Sequence, residues 1–241
     1  MRDPYLYPDC DVLINKKNIK NQIELDEYEQ DIVPLRMIAL RKEGVLIKSV
    51  YDIQKIHEFL FSSLFEWAGK FRTVTMYKKE PILDGYSVDY TPHDYIEKEM
   101  NELENKFLKI EWNKLTSSQK LENISNVVQK LWQIHCFREG NTRTIAMFLY
   151  FLLKTVGLHL NIDFLGKNAK YFRNALVVAS LYSASRKEYL RGIINDCASV
   201  KNSSTNKYET IGGYEIKKYA YSNHTVDKIK TIKSIKTLDE K

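Results

Sequence analysis

Residues 121–157 read LENISNVVQKLWQIHCFREGNTRTIAMFLYFLLKTVG, and this stretch decides the fold. Leu121, Ile124, Val127, Val128, Leu131 and Ile134 recur at helical spacing and give a wide apolar face. The helix they define opens at Thr116-Ser117-Ser118-Gln119 and ends at His135. After Asn141 the sequence is apolar nearly all round, from Ile145 to Leu153. A second helix is therefore predicted over Thr142–Val156, central in the fold and closed by Gly157.

The loop between them, His135 to Arg143, holds residues suited to phosphate chemistry. A helix N-terminus presents unpaired N–H groups and partial positive charge, which suits an anion. Gly140 lets backbone approach a phosphate, and Arg143 in the first turn can grip its oxygens as a fork. Glu139 adds a carboxylate, and phosphates beside a carboxylate suit Mg²⁺. His135 can serve as general base near neutral pH. Phe137 is expected to point into the core and fix the loop. Each residue also has a plain structural reading. His135 could simply cap its helix, and Glu139 with Arg143 could form an i,i+4 ion pair.

Outward from this centre, helices are predicted at Leu25–Lys42, with Ile32, Leu35, Ile38 and Ala39 on its apolar face, and at Asp52–Trp67, with Asp52 as N-cap. Others follow from Pro92 to about Leu108, over Lys167–Leu181 and over Ser185–Cys197. One stretch is β-rich: residues 71–77 and 86–90 flank an Asp84-Gly85 turn, which predicts a small β-hairpin. The expected class is all-α with a β-hairpin flap.

The composition suits a globular protein, with 44% hydrophobic and 28% charged residues. No apolar run approaches a membrane span, and the N-terminus shows no secretion signal, so a cytoplasmic setting is expected. Three widely spaced cysteines give neither a disulfide framework nor metal spacing. Residues 201–241 carry nine Lys against five Asp and Glu, which is +4 of the total +6. The body is therefore not a basic nucleic-acid-binding domain, and such binding is expected to be at most a property of the tail. In that tail a turn at Gly212-Gly213 precedes Val226, Ile229, Ile232, Ile235 and Leu238, a basic amphipathic segment.

The run His135-x-Phe137-x-Glu139-Gly140-Asn141-x-Arg143 resembles the HPFxxGNGRxxR signature of the Fic (filamentation induced by cAMP) family. Asp3-Pro4-Tyr5-Leu6-Tyr7-Pro8 resembles the lead-in of bacterial Fic chains, and Trp67-Ala68-Gly69-Lys70-Phe71-Arg72-Thr73-Val74 resembles the family's WAGxxRTV segment. Tyr171-Phe172-Arg173-Asn174-Ala175-Leu176 is similar to a later helix of one Fic subgroup. The resemblance spans a Fic domain at about 1–198 and leaves 199–241 as an extension.

The resemblance implies transfer of AMP from ATP to a Ser, Thr or Tyr hydroxyl of a target protein, with Mg²⁺ as metal. It implies His135 as the catalytic base and Glu139 as the metal ligand. Phe137, Arg138, Gly140, Asn141, Thr142 and Arg143 would form the nucleotide site. Thr73, Val74, Thr75, Met76 and Lys78 would form a flap that docks the target. A small antitoxin is a further implied partner, and delivery into a host cell a further implied setting. Three positions depart from the pattern: Cys136 for Pro, Thr142 for Gly, and Ala146 for the second Arg. These leave open a phosphate-transferring kinase like the Doc branch, another nucleotide or phosphate transferase, or a catalytically weak binding relative.

Overall fold

The computed structural model describes residues 2–181 and 186–199. They form two compact units, divided at Met76/Tyr77, Asp89/Tyr90 and Leu158/His159.

The first unit holds five helices: α1 (Gln22–Glu43), α2 (Asp52–Phe61), α3 (Ile96–Phe107), α4 (Ser117–Ile134) and α5 (Asn141–Thr155). Helix α5 packs against α2 and α4, α1 lies on α2, and α3 lies on α4. The centrality of α5 follows from its sequence, since Ile145, Met147, Phe148, Leu149, Phe151, Leu152 and Leu153 are all buried. Helix α4 starts where expected because Thr116 and Gln119 form a reciprocal capping box. Its predicted apolar face is buried from Ile124 onward.

Helix α1 corrects the expected face. It buries Leu25, Val33 and Leu40, whereas Leu35 and Ile38 are exposed. Apolar residues surround this helix, so spacing alone does not choose the buried side. Helix α2 ends at Phe61, short of Trp67, because the chain leaves it through successive turns: Leu64 N–H bonds Phe61 O, and Ala68 N–H bonds Phe65 O. Asp52 does not cap α2. It lies inside the helix, and its carboxylate accepts the N–H groups of Lys48 and Ser49 in the approach turn. After Pro92 a short 3₁₀ turn, His93–Tyr95, precedes α3.

The predicted β-hairpin is not formed. The described residues contain no strand, only an isolated bridge between Leu6 and Leu13. Residues 73–79 do alternate more and less exposed side chains, as extended chain does. Their bonds go elsewhere. Arg72 N–H bonds Cys136 O, Thr73 N–H bonds the Tyr5 hydroxyl, and Thr91 N–H bonds Gln133 O. A ladder needs those same groups.

The second unit contains Tyr77–Asp89 and helices α6 (Ile162–Lys167), α7 (Ala169–Ala179) and α8 (Lys187–Ser199). Helix α7 packs on α8, and α6 contacts both. The helix expected over Lys167–Leu181 is α7; α6, which was not expected, precedes it and meets it at Asn168, whose side chain donates to Phe164 O. Pro81 starts a 3₁₀ turn, and the loop is closed by Glu80 N–H to Tyr86 O and Gly85 N–H to Glu80 O, each at 3.0 Å. Glu80 is fully buried and accepts both Nη atoms of Arg173, at 2.6 and 3.0 Å. That fork ties the loop to α7. No described helix is long and apolar enough to cross a membrane. The Gly212-Gly213 turn and the basic segment at 226–238 lie outside the described residues.

Candidate active site

Helix α4 delivers His135 as its left-handed C-cap, at φ 50° and ψ 52°. A non-glycine residue needs support in that conformation, and Arg72 supplies it. The Arg72 side chain is buried and donates to four carbonyls: His135 at 2.7 Å, Ile134 at 3.3 Å, Thr91 at 2.5 Å and Val74 at 2.5 Å. Burial works against its charge and lowers its pKa, so those carbonyls are what hold a cation there. The His135 ring is also buried, with the Tyr90 ring centroid 4.1 Å away and Trp132 edge-on at 5.4 Å. Its Nδ1 lies 3.1 Å from Trp132 O. A carbonyl only accepts, so Nδ1 carries the proton, and Nε2 is the basic nitrogen of the neutral ring.

The loop then turns inward. Phe137 is fully buried and stacks on His57, with centroids 3.8 Å apart at 16°. It belongs to the core rather than to a nucleotide-facing surface, as its apolar ring requires. Asn141, expected in the nucleotide site, is held within the loop. Its Oδ1 accepts Phe137 N–H at 3.0 Å, and its Nδ2 donates to Phe137 O at 2.7 Å. Both arms of this buried amide clasp the loop. Cys136 is buried too, and burial raises its thiol pKa, so it is an inert packing group.

Gly140 has φ 79°, and a Cβ there would lie 2.4 Å from Phe61 Cζ. The close approach that requires glycine is thus to an aromatic ring of α2. Thr142, which stands where the family pattern has Gly, is tied to α4 through its hydroxyl oxygen. Its Oγ1 accepts Trp132 Nε1–H at 3.0 Å. Helix α5 itself has no side-chain cap at its N-terminus, which suits anion binding by its first amides.

The charged residues form a pair and a cluster of three. Arg138 is held by Asp3 at 2.8 Å. Arg143 bonds Glu29 of α1 at 2.7 Å, lies 3.8 Å from Glu139, and sits over the Phe61 ring at 4.9 Å. Glu139 Oε1 accepts Gly140 N–H at 2.9 Å. Burial raises the pKa of Glu29, and Arg143 opposes that rise. Beside these groups lies a cavity of about 320 Å³, lined in part by Asp11, Asp26, Glu29, Phe65, Arg138 and Glu139. No described cluster of three or more His, Cys, Asp or Glu could enclose a metal ion.

The expected docking segment is partly committed to internal bonds. Thr73 N–H and Val74 C=O are used by Tyr5 and Arg72, and the Thr75 hydroxyl is 3.1 Å from His93 Nδ1. Met76 is half-buried, and Lys78 N–H bonds Ser87 Oγ at 3.2 Å. Three residues escaped the sequence reading as site neighbours: Glu29, Asp3 and His57. A histidine inside an otherwise apolar helical face, between Ile56 and Leu60, was the available signal for the last.

A model of the Fic/DOC family matches residues 48–153. A protein of Sinorhizobium fredii named as a probable protein adenylyltransferase (y4lH) is 32% identical over 163 residues, covering 67% of this chain and 80% of that protein. The Escherichia coli protein named as probable protein adenylyltransferase Fic is 27% identical over 172 residues, covering 70% and 80%. Among solved structures, the N-terminal Fic domain of a VirB-translocated Bep effector of Bartonella quintana has a TM-score of 0.67 at 25% identity, covering 80% of this chain and 90% of that one. BepC of Bartonella tribocorum, solved with bound AMPPNP, has a TM-score of 0.67 at 24% identity, covering 80% and 95%.

Proposed function

This chain belongs to the Fic/DOC family, and on that footing we propose that it is a protein adenylyltransferase, moving AMP from ATP to a hydroxyl side chain of another protein. The observation that carries the reading is the 3.1 Å approach of His135 Nδ1 to Trp132 O, which assigns the ring proton to Nδ1 and leaves Nε2 as the basic nitrogen. In the proposed step that nitrogen accepts the target hydroxyl's proton as its oxygen bonds the α-phosphorus. The bond to the β-phosphate bridge breaks, and pyrophosphate leaves with the electron pair. The uncapped N-terminus of α5 and the Arg143 guanidinium hold the phosphates. The names of the relatives and the AMPPNP in BepC support ATP as donor.

Glu139 is the residue that would hold Mg²⁺, as a single carboxylate beside the helix N-terminus. That fits a Mg²⁺ that completes its shell with phosphate oxygens and water. When bound, the ion would neutralise phosphate charge. The target docks along residues 73–78 in this reading, and a small antitoxin is a second partner. In this reading the activity is cytoplasmic, in the cell's own cytoplasm or a host's.

Ala146 favours a second reading, transfer of the γ-phosphate, because the Fic pattern has an Arg there. Incubation of a protein lysate with ATP labelled at the α- or γ-phosphate separates the two. Adenylyl transfer predicts protein label from α-labelled ATP, lost in His135→Ala. Label from γ-labelled ATP alone would overturn it.

A further inference from the structure

His57 lies on α2 between two segments that the site needs in register. On one side, Gly69 N–H donates to His57 Nδ1 at 2.8 Å. On the other, His57 Nε2 lies 3.0 Å from Glu139 O. Because an N–H can only donate and a carbonyl can only accept, the ring is neutral, with its proton on Nε2. Neither bond can be reversed by a tautomer change without losing both. The ring is fully buried, stacked on Phe137 at 3.8 Å and flanked by Phe61 at 4.7 Å. It has no room to take another rotamer. The Gly69 turn is itself pressed onto α2: a Cβ there would meet Glu58 Cβ at 2.8 Å, and Gly69 O accepts Gln54 Nε2 at 3.0 Å. One end of the imidazole is thus anchored to a fixed turn, and the other reaches the backbone of the residue whose carboxylate takes Gly140 N–H.

We propose that His57 is a positioning residue: its Nε2–H fixes the Glu139 peptide, and so sets the Glu139 carboxylate and the Gly140 amide at the mouth of α5. The inference rests on the adenylyltransferase reading for what the carboxylate does, but not for the anchoring itself. It assigns His57 no proton transfer and no contact with substrate. Outer groups that orient a metal-binding side chain act on affinity through geometry.

The two nitrogens can be tested separately. His57→Gln can retain a donor near the Nε2 position, toward Glu139, while giving up the acceptor for Gly69. His57→Asn can retain an acceptor near the Nδ1 position, toward Gly69, while giving up the donor. Thermal unfolding serves as the control for general damage. Hydrogen exchange of the amides of residues 139–143 reads loop anchoring without any nucleotide. Exchange in the Asn variant is expected to quicken beyond what its loss of stability accounts for, and the Gln variant to stay near wild type. Calorimetry with Mg-AMPPNP reads the consequence. The Mg²⁺-dependent gain in affinity is expected to drop about 10-fold or more in the Asn variant and far less in the Gln variant.

Equal exchange in the two variants, or faster exchange in the Gln variant, would overturn the anchoring. Distinct exchange with the same Mg²⁺ dependence in both would overturn the positioning of Glu139 toward a metal. If wild type itself bound no Mg-AMPPNP, the adenylyltransferase reading would fall with that consequence, while the exchange result would still decide the anchoring.

Discussion

The Phe61 ring fills the space that a side chain at Gly140 would need, with Cζ 2.4 Å from the position of a Cβ. Helix α2 and the loop at α5 are therefore fitted to one another at the point where the backbone turns left-handed. Gly140→Ala faces both the clash and the positive φ. It is expected to lose about 2–5 kcal/mol of stability, combining a left-handed non-glycine residue with overpacking. Chemical denaturation measures it, and a loss under about 1 kcal/mol, less than left-handed strain alone would cost, would contradict the fit.

Asn141 holds the loop by both ends of its amide. Asn141→Ala leaves the Phe137 peptide without these partners, and is expected to cost about 2–4 kcal/mol for two buried bonds. Asn141→Asp keeps only the acceptor for Phe137 N–H and sets a carboxylate oxygen against Phe137 O, so it should be no better tolerated. Urea unfolding of both variants checks this ordering.

His57 is also the clearest source of pH-dependent stability. Burial, its largest cause, lowers its pKa from 6.5 to about 4 in the folded state. Between those values the unfolded chain takes up a proton that the fold refuses. Stability from this group is fully present above pH 6.5 and declines as the pH falls toward 4, by up to about 3 kcal/mol. His57→Gln has no such titration. Its denaturation midpoint should change less steeply than wild type across this window, and parallel pH profiles would contradict the assignment.

Glu29 occupies Arg143, the residue proposed to grip phosphate. A nucleotide must compete with that carboxylate for the guanidinium. Glu29→Gln is expected to tighten AMPPNP binding about tenfold, the scale of one charge-assisted bond, or ~1.4 kcal/mol. Calorimetry that showed unchanged or weaker binding would mean that Arg143 does not hold phosphate from this position.

The parts of this architecture that were legible in sequence share a property: several local signals agreed. Thr116 and Gln119 mark the start of α4, its apolar face is one-sided, and the nearly all-apolar run after Asn141 marks the next helix. Agreement of local signals was not enough for the hairpin. β-rich residues at 71–77 and 86–90 with an Asp84-Gly85 turn favour extended chain, but a strand also needs a partner, and Arg72, Tyr5 and the end of α4 take backbone groups of this segment. Helix α1 is apolar on several sides, so its buried stripe could be chosen only by the surface of α2. In the loop, the family pattern assigns Asn141 and Thr142 to the nucleotide. Their contacts with Phe137 and Trp132 within the protein are not hinted at by the spacing. His57 was hidden for the opposite reason, as a polar residue within an apolar stripe whose partners lie 12 and 82 residues away.

The central claim is that the loop from His135 to Arg143 transfers AMP. Its most direct test is the intact mass of a target protein after incubation with ATP, Mg²⁺ and either this protein or its His135→Ala variant. The account predicts that the target gains the mass of one AMP with the wild type and nothing with the variant. A gain of one phosphate, or an AMP gain that survives removal of His135, would contradict it.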